Sequence, residues 1–360
     1  MTSEPNEIWR FRLAKERHVN ARAPVFSDGC IYQAFYFGYP NTKGVLIAFN
    51  TETGDECWRV PFMSGINEPV IGADGTIYIS DQYGSVYAID KHGRELWRSN
   101  VGRSARRPCL AGPNRVIVAE IAGAAFRTFC LDSSTGTVIW QFDKKGHRFD
   151  IAATADVVVH VTTDGGTTFD DEPINHLVAL AVQTGEELWA TRSEAYLFAS
   201  MIIDDLVVVG ARGSLRAFEL KTGKLVAQFA IQQDAANDKG LLPLSDGFVF
   251  SDDRGTVRRA SLANKRSLFR SSMQFNECWS NSLPAKLLGR PAGFDSTVAV
   301  LDESGSIHLL SSEDGRTLSS FDMKTGSSES NGGVAEAGQF LAAAHGKVLA
   351  LYRFTNAQWG

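Results

Sequence analysis

Cysteine is scarce in this chain and badly spaced for chemistry. Five residues, Cys30, Cys57, Cys109, Cys130 and Cys278, are scattered through 360 with no CxxC or CxC step, which argues against a disulfide framework or a structural zinc site. No metal centre is expected. Long apolar runs are missing too: nothing approaches the roughly 18 residues of a membrane-spanning helix. The first residues, MTSEPNEIWRFRL, lack the charged start and apolar middle of a secretory signal. The expectation is a soluble, cytoplasmic, monomeric protein with reduced thiols and no membrane partner. Charge of one sign is lacking as well. Lys+Arg 36 against Asp+Glu 41 gives a net charge of −5, without long runs, and offers no case for nucleic acid. No GxSxG, HExxH, Walker A or GxGxxG stands in a matching context, and helical spacing is almost absent.

What is present is a repeat. GVLIAFNTETGDECW (44–58) recurs as GSVYAIDKHGRELW (84–97), AAFRTFCLDSSTGTVIW (124–140) and NHLVALAVQTGEELW (175–189). Weaker copies begin at 213, 255 and 305, and GKVLALYRF (346–354) starts one more. Each copy runs from a glycine through alternating apolar residues to a T-G or D-G turn. Trp58, Trp97, Trp140 or Trp189 follows four residues after the turn glycine. Period-two alternation marks strands, and glycine supplies the positive φ of a tight hairpin. Turns placed at Pro5, Gly54, Gly93, Gly136, Gly185, Gly223, Asn264 and Gly315 lie about 40–50 residues apart, the size of a four-stranded propeller blade. The expected fold is all-β: one closed propeller domain over 1–360 with eight four-stranded blades. Seven is the alternative count if 264–315 is not two normal blades. Glu7–Phe11 reads like the strand after the turn, so the N-terminal strand is expected to complete the last blade and remove the open edge.

The pattern A-x-D/N…T-G-x-x-x-W, at Ala48–Trp58 and Ala88–Trp97, resembles the tryptophan-docking motif of PQQ-like repeat propellers. Relatives of that kind include quinoprotein dehydrogenases and the outer-membrane-assembly scaffold lipoprotein. The motif is eroded where Ala227, Leu268 and Ser319 stand in place of tryptophan. The resemblance implies that quinone binders of the family carry a vicinal disulfide, a tryptophan floor and acidic calcium ligands. No adjacent cysteines and no such set are found here, so no cofactor is expected.

Loops joining one blade to the next converge on one mouth of a propeller's channel. Here they are cationic in the first half of the chain, with Arg22, Arg107 and Arg148 as candidates to hold an anion, since arginine's planar fork pairs with carboxylate or phosphate. Tyr196, Phe198 and Trp279 lie in other mouth loops and are read as ligand-binding. Phe35, Tyr36, Phe37 and Tyr39 form an aromatic loop and a candidate partner-binding surface. His18, Glu68, His147 and Asp150 are candidates for an acid–base group. Asp170, Asp171 and Glu172 belong to a long insertion without calcium-loop spacing. Asp81, Asp252 and Asp302, just before glycines, read as Asx turns. The functional expectation is a rigid scaffold binding a protein partner or an anionic small molecule at the mouth. A cofactor-independent lyase, isomerase or cyclase in the same mouth is the alternative.

Overall fold

The computed structural model describes residues 6–13, 16, 18–38, 42–122, 125–145, 147–164, 174–232, 240–266, 271–294, 296–326 and 331–354. These residues build eight antiparallel sheets and no helix. Seven sheets have four strands; the first has a fifth, Val25–Ser27, beside Asn20–Ala21. Blade 1 continues through Cys30–Phe37 and Lys43–Asn50 to its outer strand, Glu56–Phe62. The outer strands of blades 2–7 are Glu95–Asn100, Val138–Lys145, Glu187–Ser193, Leu225–Ala230, Ser271–Ser282 and Thr317–Asp322.

Blade 8 takes three strands from the end of the chain and its outer strand, Asn6–Arg12, from the beginning. Arg10 pairs with Ala350 and Phe11 with Leu349. The N-terminal strand therefore closes the ring as expected. Its arginines also reach the preceding blade: Arg10 donates to the Met323 carbonyl, and Arg12 Nη2 to that of Thr325 at 2.7 Å.

Closure shows in the packing. Buried apolar side chains fall into eight clusters, each between two neighbouring blades. One of them joins Ala342 and Leu349 of blade 8 to Phe35 and Phe49 of blade 1. Successive residues point to opposite sheet faces, so Ile31 and Phe35 pack toward blade 8 while Tyr32 and Ala34 pack toward blade 2. Because the middle strands are covered on both faces, Gly44–Phe49 is buried throughout. Such strands read as near-continuous apolar runs rather than clean alternation.

The tryptophans fasten the seams. Each leans on the turn glycine of the next blade and donates its indole N–H to a carbonyl in that turn. Trp9 reaches Thr51 at 2.9 Å, Trp58 Lys91 at 2.8 Å, Trp97 Ser133 at 2.9 Å, Trp140 Val182 at 2.7 Å and Trp189 Leu220 at 2.8 Å. A Cβ on Gly136, where φ is +71, would lie 2.5 Å from the Trp97 ring, so the turn needs glycine for both conformation and close approach. Just before each tryptophan, or the residue in its place, the outer strand carries a bulge. A bulge breaks the regular ladder of an exposed edge and discourages pairing with another chain.

Blade 6 departs from the expected register. Asn264 is not its turn: it lies within the strand Thr256–Arg266 and pairs with Met273 of the long partner strand. Trp279 fills the docking position, opposite Arg259, with its N–H on the Ser312 carbonyl at 2.9 Å and its ring against Gly315. The hairpin is longer than its counterparts, so the docking residue lies at Trp279 and not at the expected Leu268. Leu268 and Pro5, given docking and turn positions from sequence, lie outside the described residues.

The three Asx turns form as expected. Asp81, Asp252 and Asp302 each accept two backbone N–H bonds within the turn. The second oxygen of each takes a side chain six residues on: the Tyr87 hydroxyl, Arg258 or His308.

Candidate functional site

Ring closure brings the inner strands of blades 2–7 around a cavity of about 680 Å³. Its wall includes Asn67 and Glu68 from the loop into blade 2, Arg106 and Arg107 from the loop into blade 3, Phe198 of blade 5 and Arg290 of blade 7. These loops run from the outer strand of one blade to the inner strand of the next, so one end of the channel is built from segments far apart in sequence.

Charge in this mouth is unevenly matched. Glu68 pairs with Arg107 at 2.8 Å and with Arg290, from the far side of the channel, at 3.5 Å. Both arginines are more than a third exposed, so each pair is worth at most about 1 kcal/mol; their main effect is to commit the carboxylate. Arg106 has no such partner among the described residues. Its side chain is exposed at the mouth, and partial loss of solvent there, followed by the nearby positive charge of Arg22, lowers its pKa. Arg22 is held in place: Nε donates to the Ile66 carbonyl at 3.2 Å, Nη2 approaches Asn67 Oδ1 at 3.5 Å, and the guanidinium lies 4.6 Å over the Tyr36 ring. Asn67 is fixed in turn by Ser80 Oγ at 3.0 Å and the Ala105 carbonyl at 2.9 Å.

Among the residues singled out from sequence, Arg22 and Arg107 stand at this mouth. Glu68 is there too, but engaged by arginines rather than by a histidine. His18 is an exposed residue at φ +50. His147, Arg148 and Asp150 belong to the strand His147–Ala153, but their side chains lie outside the described residues. Phe198 lines the cavity, and Tyr196 stacks on it at 6.5 Å with the Arg212 guanidinium 5.2 Å from the Tyr196 ring centre. Trp279 is a correction: it is 93% buried in a blade seam and presents nothing to the mouth.

The aromatic segment is a second correction. Phe35, Tyr36 and Phe37 are in the regular strand Cys30–Phe37, not a loop. Phe35 is fully buried, 6.2 Å from Phe11, because its sheet face meets blade 8. Phe37 packs against the same cluster, Tyr36 supports Arg22, and Tyr39 lies outside the described residues. So do Asp170, Asp171 and Glu172.

Sequence reasoning missed Asn67, Arg290 and the exposed side chains of Met63 and Tyr83. Met63 is 80% exposed in the loop after blade 1, and Tyr83 is 59% exposed in the Asp81 turn. Both lie at the same end of the blades as Arg107, since that turn bonds to the loop carrying Gly102 and Ala105. The glycine-anchored Asp81 turn was a signal that could have placed Tyr83 there.

A family model described as PQQ_2, outer membrane protein assembly factor BamB, matches residues 3–101 and 82–241. The curated BamB of Burkholderia pseudomallei is 25% identical over 313 residues, covering 81% of this chain and 74% of that protein. The crystal structure of BamB from Moraxella catarrhalis superposes with a TM-score of 0.65 at 18% identity, over 98% of this chain and all of that one. Chaetomium thermophilum Sqt1, in a structure bound to the N-terminus of ribosomal protein L10, superposes with a TM-score of 0.73 at 15% identity, covering 98% of this chain and 100% of that one. At these identities the two structures support the fold alone. The expected cytoplasmic location is overturned, because the family model and several relatives carry the name of a factor for assembly at the outer membrane.

Proposed function

Because the chain belongs to the PQQ_2 family described as outer membrane protein assembly factor BamB, we propose that it is a propeller scaffold that holds a protein partner at the channel mouth. The observation that carries this reading is the pairing of exposed apolar groups with cations on one rigid rim: Met63 and Tyr83 stand out at the same end of the blades as the loop that presents Arg103 and Arg107. Aromatic, methionine and arginine side chains are the usual anchors of protein interfaces. The blades supply the rest. Loops fixed by closed sheets lose little freedom on binding, which lowers the ordering cost of association. The name its relatives carry, outer membrane protein assembly factor, fits a scaffold better than an enzyme.

A photo-crosslinking residue at Met63 or at Tyr83, in cells of the native host, tests this directly. The expected outcome is a discrete adduct with the same partner from both positions. Leu96 and Leu188, exposed on outer strands at 55% and 52%, serve as comparison sites and should give none. Equal labelling from all four positions, or no adduct from the rim, contradicts the proposal.

A further inference from the structure

The channel mouth carries more positive charge than its own carboxylate can match. Arg106, Arg107 and Arg290 line the cavity with Glu68, and Arg22 stands beside Asn67 at its edge. Glu68 is shared by Arg107 and Arg290. Arg22 and Arg106 are left facing one another's field, with no carboxylate on either among the described residues. Like charges at one mouth repel, and that repulsion is relieved when an anion joins them there.

The pair is also held ready. Asn67 Nδ2 donates to Ser80 Oγ, and Ser80 Oγ donates to the Arg106 carbonyl at 2.6 Å. Asn67 is in turn the residue that Arg22 approaches. One network, Arg22–Asn67–Ser80–Arg106, therefore ties the Arg22 guanidinium to the backbone that carries Arg106, across three different blades. Tyr36 lies under Arg22 and limits where its fork can point. A site that pays no reorganisation on binding favours the anion it fits.

We infer that Arg22 and Arg106 form an anion-binding cleft that takes the carboxylates of an acidic segment of a protein partner inserted into the channel mouth. The inference rests on the scaffold reading and narrows it. Carboxylate fits the planar guanidinium fork, and the apolar Met63 and Tyr83 on the same rim match a polypeptide carrying the charge rather than a free ion. The cavity has room for several side chains.

The test is fluorescence anisotropy with a labelled hexaglutamate peptide, on the whole chain, at low and high salt. Saturable binding that weakens with salt is expected. Arg106→Gln should weaken it about tenfold or more, the loss of one charge-assisted contact. Arg98→Gln should change it less than about twofold, because Arg98 pairs with Glu95 on an outer strand. A melting curve for each variant separates lost binding from lost folding, and Asn67→Ala gives a second, uncharged perturbation of the same network with a smaller loss expected. No saturable binding, or equal binding by Arg106→Gln with an unchanged melting curve, overturns the inference. Inorganic phosphate or glutarate competing as well as the peptide, charge for charge, assigns the cleft to small anions and also overturns it. Rim crosslinks with no peptide binding would leave the scaffold standing and remove only this cleft; absence of both removes the scaffold reading itself.

Discussion

Six of the eight blade seams are fastened by a tryptophan on a turn glycine, and two are not. Between blades 5 and 6 the docking position holds Ala227, opposite Ala217; between blades 7 and 8 it holds Ser319, opposite Leu309. These are the seams for which the described residues include no receiving turn glycine. The hairpin of blade 6 is lengthened to Arg266 and Ser271, and in blade 8 the paired strands Val348–Arg353 and Asn6–Arg12 come from distant parts of the sequence rather than from one hairpin. Tryptophan and glycine therefore behave as one unit spanning two repeats: without the tight turn there is nothing for the indole to lean on.

Each exceptional seam has its own substitute. Blade 5 meets blade 6 through Phe229, Phe250, Phe248 and Phe275, packed with ring centroids 6.0–6.5 Å apart. Blade 7 meets blade 8 through Phe321 on Tyr352 at 5.0 Å and through the two arginines of the terminal strand. Aromatic burial supplies the same driving force without requiring a particular backbone turn.

The sharpest way to break the contrast is Trp97→Ala. Removing a buried indole should cost about 3–5 kcal/mol, measured by urea unfolding, and Gly136→Ala should be far less damaging in that background than in the native one. Additive losses would separate the two residues and dissolve the unit. A smaller effect tests a seam-independent anchor. Burial alone would raise the Asp302 carboxyl, but His308, Ser304 and the Ser306 N–H outweigh it and hold the pKa at about 2, against about 3.9 in an unfolded chain. The stabilisation is present above the unfolded value and is lost as pH falls from about 4 toward 2. It amounts to about 2–3 kcal/mol. Asp302→Asn should cost about that much at neutral pH, with the difference from the native chain narrowing below pH 4; a constant difference contradicts the assignment. The smallest effect belongs to Ser319→Ala, expected to shift stability by no more than about 0.5 kcal/mol, because no turn glycine among the described residues receives that position.

The seams also explain what could be read in advance. The propeller, its eight blades and the borrowed terminal strand were legible because the Trp–Gly unit recurs in sequence. Trp279 was misread because its blade lacks the turn that marks the repeat, although the segment Asn276–Trp279, NECW, echoes DECW at Asp55–Trp58. Phe35 looked like loop material because a strand buried on both faces has no polar alternation to announce it. The mouth was legible only in part. Arg22, Glu68 and Arg107 could be placed there from loop order, but Arg290 is 222 residues from Glu68, and only the closed ring makes the two neighbours.

Everything proposed for the mouth depends on that closure, so the most direct measurement is hydrogen exchange across the terminal strand. The amides of residues 9–12 should exchange as slowly as those of Val348–Arg353, their partners in blade 8. Exchange of 9–12 at the rate of an unpaired chain, with 348–353 still protected, would mean an open ring and would contradict the account.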